Sequence, residues 1–298
     1  MRIGIDLGGT KIEAIALNDK GQEVYRKRID SPQGSYQKTI NAICNLIIKI
    51  ETTMQATGTV GLGIPGTLSP QSGLVKNANS TWLIGQPLKN DLETKLNREV
   101  RIENDANCFV VSEATDGAAQ NAEIAFGVII GTGTGGGIYV RGQSIIGANA
   151  IAGEWGHNPL PWPSSQELPG RECYCGKRGC IETWLSGPGL VKDHQAHNML
   201  QQIITAKELV NLSERGDEYA EISLQRYEKR LAKSLASIIN IIDPNVIVLG
   251  GGMSNVNRLY SNVPALWDEF IFSDHVETQL VPPMHGDSSG VRGAAWLW

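Results

Sequence analysis

No run in this 298-residue chain approaches the ~20 consecutive apolar residues that a membrane helix needs. Near the N-terminus, Asp6 interrupts the apolar core that a signal peptide requires. These two lacks lead to the expectation of a cytoplasmic protein with no membrane partner. Basic clusters are also missing. Lys and Arg number 26 against 31 Asp and Glu, a net charge of −5, so nothing in the charge points to nucleic acid or an anionic surface. There is no low-complexity segment or linker. Cysteine is scarce and odd in number, at five, which speaks against a disulfide framework. What remains is an ordinary globular composition, 41% hydrophobic and 19% charged, in a chain long enough for two lobes rather than one.

The few cysteines are unevenly placed. Cys173, Cys175 and Cys180 fall within eight residues, with an acid near each end of the wider segment, Glu154 and Glu182. In a reducing compartment this spacing fits a metal site, with a set of buried thiols as the alternative. Cys44 and Cys108 stand alone in apolar surroundings and read as small core residues.

Residues 2–7 form an apolar run that ends in Gly8-Gly9-Thr10. Ile12 to Leu17 follows, then a turn at Asn18–Gly21 and a third strand from Glu23 to Ile29. Ile40, Ile43, Ile47, Ile50 and Met54 fall at helical intervals, so a helix is expected over 38–54. Val60 to Ile64 reads as a buried strand. Residues 69–82 read as a functional loop. A strand over 100–105 leads into a helix from Ala106 to about Ala119. The strand, Gly/Thr loop, strand, basic-Gly turn pattern then returns at Ala125–Gly142, a weak internal duplication that suggests two related α/β lobes. Further on, Thr205 and Glu208 form a capping box. Leu224, Tyr227, Leu231, Leu235, Ile238 and Ile242 make one apolar helix face, which Pro244 stops. A strand over 245–249 ends in Gly250-Gly251-Gly252, and a short helix closes the chain over 290–298.

Gly131-x-Gly133-x-x-Gly136 has dinucleotide-loop spacing, but the strand-like Ile138-Tyr139-Val140 follows where a helix would be required. A P-loop pattern is absent. Three Gly-rich turns at strand ends remain, at 8–10, 131–137 and 250–252. Small residues there let backbone N–H groups approach anionic oxygens, and threonines add donors, so together with Asp6 they point to a nucleotide phosphate site.

The combination Asp6-Leu-Gly-Gly-Thr-Lys11, Glu154-x-Gly-His157 and Cys173-x-Cys-Gly-x-x-Gly-Cys180-x-Glu182 resembles the ROK sugar kinases, and the resemblance runs from Ile3 to the C-terminus. Asn77–Trp82 and Glu154–Trp162 are most similar to the fructokinase and mannokinase branch. The N-acetylglucosamine kinase and glucokinase branches share the motifs but are less similar in those stretches. The resemblance implies an α/β, two-lobed, actin-like and hexokinase-like (ribonuclease H-like) ATPase fold with a cleft between the lobes. One lobe would span 1–117, completed by a helix over 288–298. The other would span 118–287 and carry a zinc segment over 154–182. The implied activity is ATP-dependent transfer to the 6-hydroxyl of fructose, with mannose or glucose as further acceptors. An N-acetylglucosamine kinase, a glucokinase and a non-catalytic sugar sensor are the rivals. A repressor of the family would carry an N-terminal helix-turn-helix, for which a first strand at residue 2 leaves no room.

By the same resemblance Asp105 is the catalytic base, although a helix N-cap is an equally ordinary use of that residue. Asp6 supports Mg²⁺-ATP, directly or through water. His157 completes a structural zinc shell with Cys173, Cys175 and Cys180, leaving its other ring nitrogen for a sugar oxygen. Glu154, His157 and Glu182, with Gly66, Asn79, Asn104 and Asp105, are the expected sugar contacts. The expected nucleotide contacts are Gly4, Ile5, Asp6, Leu7, Gly8, Gly9, Thr10 and Lys11 from the first hairpin. Thr132, Gly133, Thr134, Gly135, Gly136, Gly137, Ile138, Tyr139 and Val140 join them from the second, with Gly250 and Gly251. Lys11 reads equally as a solvated hairpin lysine. His194, His197, His275 and His285 have no partner pattern and read as surface or loop residues. The resemblance also implies a homodimer.

Overall fold

The computed structural model describes residues 1–198 and 204–298. By contact the chain divides into two compact units. The first comprises 1–121, 137–152 and 284–298; the second comprises 122–136 and 153–283. Residues 137–152, expected in the C-terminal lobe, group with the first unit. The reason is local: Gly137 lies so close to the Ala106 carbonyl that a Cβ would collide with it.

The first unit is built on β1 (Arg2–Leu7), β2 (Lys11–Leu17), β3 (Glu23–Asp30), α1 (Tyr36–Met54), β4 (Thr59–Ile64), a ribbon of β5 (Thr67–Leu68) and β6 (Val75–Lys76), α2 (Leu88–Leu96), β7 (Val100–Asn104) and α3 (Asp105–Asp116). Its sheet runs β3-β2-β1-β4-β7. The three N-terminal strands are antiparallel, and β4 and β7 are parallel to β1. Strand periodicity divides β1 between two environments. Ile3, Ile5 and Leu7 bury into the cluster that includes Ile40, Ile43, Ile47 and Ile50 of α1. Gly4 points the other way, toward the C-terminal helix. A Cβ on Gly4 or Gly61 would strike that helix's backbone.

The second unit contains β8 (Ile124–Ile130) and the start of β9 (Thr134–Val140), whose far end pairs with β10 (Gln143–Ser144). It continues through α4 (Glu182–Leu185), α5 (Gly187–Asn198), α6 (Ala206–Glu214), α7 (Glu218–Ile242), β11 (Val246–Gly250), the one-turn helices α8 (Leu259–Asn262) and α9 (Pro264–Trp267), and β12 (Gln279–Val281). Sheet order is β10-β9-β8-β11-β12, with β11 parallel to both β8 and β12. This repeats the order of the first sheet, so the sequence duplication is a duplication of topology. A strand, not a helix, follows the 131–137 loop. The Thr205 capping box forms as its spacing predicts. The apolar face of α7 buries Leu224, Tyr227, Leu231 and Leu235 completely.

The chain ends in α10 (Ser289–Ala295), which belongs to the first unit. It packs on α3, β1 and β4 through glycines: a Cβ on Gly293 would overlap the Cys108 carbonyl. The buried Glu113 of α3 accepts from the Met284 and His285 backbone N–H groups at 2.9 and 3.2 Å and from Ser289 Oγ at 2.6 Å, which fixes the approach to α10. Cys44 and Cys108 are buried free thiols. No helix among the described residues is long and apolar enough to cross a membrane.

Candidate active site

In the first unit, Asp6 lies next to the end of β1, directly opposite Glu13 in the β1–β2 register. Burial raises its pKa to about 7, helped by the charges of Asp105 and Glu13 and opposed by Arg28. Glu13 itself is held by Arg26 and Arg28. A partly buried carboxylate among other acids is a site a cation would relieve, and its oxygen is the donor a hard ion such as magnesium takes. Gly8, Gly9, Thr10 and Lys11 form the hairpin tip, with Gly9, Thr10 and Lys11 exposed. The neighbouring candidates differ. Ile5 and Leu7 are fully buried and Gly4 is sealed beneath α10, so these three build the strand that presents the tip and reach no ligand themselves.

Asn104 is the N-cap of α3, its Oδ1 accepting from the Ala106 N–H at 2.9 Å, while its Nδ2 donates to the Gly66 carbonyl at 3.1 Å. Gly66, at φ 110°, needs the freedom glycine has, and a Cβ there would collide with the 76–78 backbone. Asp105 is exposed at the first turn of α3. One of its oxygens accepts from the Ala106 N–H at 2.8 Å, but the N-cap role expected of Asp105 falls to Asn104, because the helix starts one residue earlier, at Asp105 itself. Asn79 is exposed in a loop anchored by Trp82, whose indole donates to Thr39 Oγ1 at 3.2 Å.

In the second unit one local network joins the cysteine segment to the glycine loop. Leu160 N–H donates to the Gly179 carbonyl and Ile181 N–H to the Asn158 carbonyl, both at 2.8 Å, stapling the Glu154–Asn158 segment to the Cys180 end. His157 Nδ1 lies 3.6 Å from Cys173 Sγ, and Cys175 Sγ lies 3.6 Å from Cys180 Sγ. All four ligand atoms stand within 4.8 Å of one another. Thiolates bound at about 2.3 Å to a tetrahedral ion stand about 3.8 Å apart, so the cage has the right size. Burial, and then the neighbouring Cys175 and Cys173, push the Cys180 thiol up to about 12, and burial also raises Cys173. Backbone N–H donation from Lys177 instead lowers Cys175, and a cation held between the sulfurs would relieve the repulsion of all three as thiolates, the chemistry of a metal site. The fourth ligand leaves His157 Nε2 pointing out of the cage, but it already faces a hydroxyl. Tyr174 OH is 3.0 Å away, an exposed residue that sequence reasoning passed over.

Glu182 opens α4. Its Oε2 accepts from the Thr134 N–H at 2.9 Å, and a Cβ on Gly133 would meet that same oxygen. Trp155 Nε1 donates to the Gly135 carbonyl at 2.9 Å, and Gly136 is small because Phe126 and Trp155 crowd it. Gly136 and Gly137 therefore serve packing, and Ile138, Tyr139 and Val140 are partly buried strand residues; Thr132 and Gly133 are the loop's outward part. Glu154 is exposed at the head of the turn Trp155–His157. Gly250 is the buried end of β11, and Gly251 takes φ 75° against the Ile130 carbonyl.

Between these loops lies a cavity of about 900 Å³. Gly131, Thr132 and Gly252 stand at one side, and Val191, Val210, Met253 and Val256 give it apolar walls. Those wall residues come from α5, α6 and the turn after β11. No local motif marks them, since an apolar side chain lining a cavity looks in sequence like any other on a helix face. Of the histidines expected at the surface, His194 is buried, its Nδ1 3.0 Å from Ser223 Oγ. His285 is half-buried, with Nε2 3.0 Å from Asp116 Oδ1. Both are structural, and their helical or loop neighbours gave no sign of it.

The model of the ROK family matches residues 2–298. The chain belongs to the ROK family. An N-acetyl-D-glucosamine kinase of Escherichia coli is 38% identical over 304 residues, covering 100% of this chain and 99% of that one. The crystal structure of a ROK hexokinase from Thermus thermophilus superposes with a TM-score of 0.87 at 29% identity, covering 99% of this chain and 96% of that one. A ROK family glucokinase from Streptomyces griseus, solved with glucose and AMPPNP, gives a TM-score of 0.78 at 24% identity over 99% and 97% of the two chains. This ROK chain is a sugar kinase with the family's α/β fold, a phosphotransferase that acts on an alcohol group with ATP. The fructokinase branch finds no support among these relatives.

Proposed function

We propose that this ROK protein phosphorylates the primary 6-hydroxyl of N-acetyl-D-glucosamine. The 38% identity to a kinase of that name across the whole chain carries the choice of sugar. Fructose is the second reading, favoured by the Asn77–Trp82 and Glu154–Trp162 stretches. Asp105 accepts the proton of the attacking hydroxyl and orients it, the part a protein can play where the phosphoryl transition state is loose. Asp6 supports the magnesium that accompanies ATP. The outward Gly8–Thr10 and Thr132–Gly133 tips hold phosphates through backbone N–H groups, and the apolar cavity walled by Val191, Val210, Met253 and Val256 takes the adenine.

Zinc is the metal that three thiolates and an imidazole select in a closed tetrahedral site. Bound there, it would fix the His157 tautomer with the proton on Nε2. His157 then donates to the sugar once the Tyr174 hydroxyl gives way, and Glu154 and the free oxygen of Glu182 accept from sugar hydroxyls.

Coupled ADP release with N-acetylglucosamine, fructose, mannose and glucose ranks the substrates. The largest kcat/KM is expected for N-acetylglucosamine. A preference of tenfold or more for fructose, about 1.4 kcal/mol of transition-state discrimination, overturns the sugar assignment and leaves the kinase reading intact. No sugar-stimulated ADP release overturns both.

A further inference from the structure

A second cavity, of about 490 Å³, lies wholly within the second unit among the 164–171 loop, α5 and α7. It is lined by five cationic side chains, Arg171, Arg226, Lys229, Arg230 and Lys233. Two carboxylates, Asp193 and Glu167, oppose them. Asp193 takes Arg171, Arg226 and Arg230, each at 2.9 Å. Glu167 takes Arg230 at 2.7 Å and Lys233 at 3.6 Å. Five positive charges against two negative leave an excess of three in a concave space whose floor is buried and whose rim, at Lys229, is exposed. Arg230, Lys233 and Asp193 are all more than nine-tenths buried. Like charges held this close repel one another, and an anion among them relieves that repulsion. Among the described residues Lys229 has no ion pair.

The wall beneath the guanidinium groups is also unusual. Arg171 and Arg230 stack on the ring of Trp184 at 4.1 and 4.5 Å. The buried Trp184 indole N–H has no hydrogen-bond partner. Guanidinium groups already fixed by stacking and by carboxylates are pre-organised forks, the geometry that matches phosphate oxygens. The field of such a recess draws anions in.

We propose that this cavity is a binding site for a small phosphate dianion, separate from the candidate active site. Arg226, Lys229 and Arg230 contact its oxygens, and the Trp184 ring beneath holds Arg230 in place. Two sources share that chemistry: the hexose 6-phosphate a sugar kinase makes, and free inorganic phosphate. The site does not depend on which sugar the enzyme prefers.

Isothermal titration of glucose 6-phosphate, and separately of inorganic phosphate, tests it on full-length, metal-replete protein saturated with sugar and AMPPNP. Filling the active site first leaves the cavity as the remaining site. One binding event per chain is expected. Lys229→Glu should weaken it at least about tenfold, since it replaces an attractive charge with a repulsive one, while melting temperature and kcat at saturating substrates stay unchanged. Lys229→Gln should weaken it less. Tighter binding of the ester than of phosphate identifies the sugar phosphate as the source, and equal binding identifies free phosphate. No heat with either anion, or heat that Lys229→Glu leaves unaltered, overturns the proposal. Because the Lys229 comparison needs no turnover, it would survive failure of the kinase reading.

Discussion

Asp6 shows how one residue can carry a role that sequence suggests and a cost that only structure reveals. Its place near the end of the first strand was legible in the sequence. The opposing Glu13, the nearby Asp105 and the burial that together raise its pKa to about 7 were not, because they depend on register and on packing across elements. Unfolded, an Asp titrates near 4. Between about 4 and 7 the folded chain therefore holds more protons than the unfolded one, and folding stability contributed by this residue falls as pH rises through that window. Asp6→Asn removes the effect. Its unfolding free energy should exceed that of the ligand-free wild type by a margin that widens from pH 5 to pH 8, on the order of a few kcal/mol at the upper end, with the melting temperature raised accordingly. Magnesium-dependent turnover should be lost at the same time. A margin that is constant with pH would contradict the assignment. Asp105, by contrast, could be read from sequence in two ways, and the geometry shows one carboxylate serving as a helix-terminal acceptor while remaining exposed.

At the scale of elements, amphipathic helices and alternating strands were readable because their periodicity is written into the residues themselves. Close approach is not. Gly4, Gly61 and Gly293 let α10 sit directly on β1, β4 and α3, and the hairpin glycine Gly4 reads in sequence like a ligand-approach position. Gly293→Ala should cost about 1–3 kcal/mol through overpacking, lowering the melting temperature by roughly 2–4 °C or more for a unit of this size. An unchanged melting curve would mean that α10 is not seated as described.

The cysteine segment was legible as a cluster from spacing. Its link to the 131–137 loop through Glu182 and Trp155 was not, since it spans separate stretches of chain. Under the proposed function, this link would make the cage a support for two ligands at once. Metal analysis should find about one zinc per chain, and Cys175→Ser should lose it. The variant should melt lower and show raised KM for the sugar and, through the Glu182–Thr134 bond, for ATP as well. If Cys175→Ser kept its metal and its stability, the cage would have no part in the account.

Over the whole molecule, the two sheets share one strand order, which is why a weak repeat of Gly/Thr hairpins in the sequence anticipated two α/β units. Sugar choice was the part least legible. Whole-chain similarity points to N-acetylglucosamine, whereas two short stretches point to fructose, and hydroxyl discrimination rests on a few side-chain positions rather than on the fold. Both readings propose the same division of labour, with Glu154, His157 and Glu182 on the sugar and Asp105 on its hydroxyl. Asp105→Asn tests that division most directly, with sugar affinity and turnover measured on the same folded protein. The account predicts sugar affinity within a few-fold of wild type and a kcat lowered by about 10²–10⁴. Turnover close to wild type, with folding intact, would contradict it.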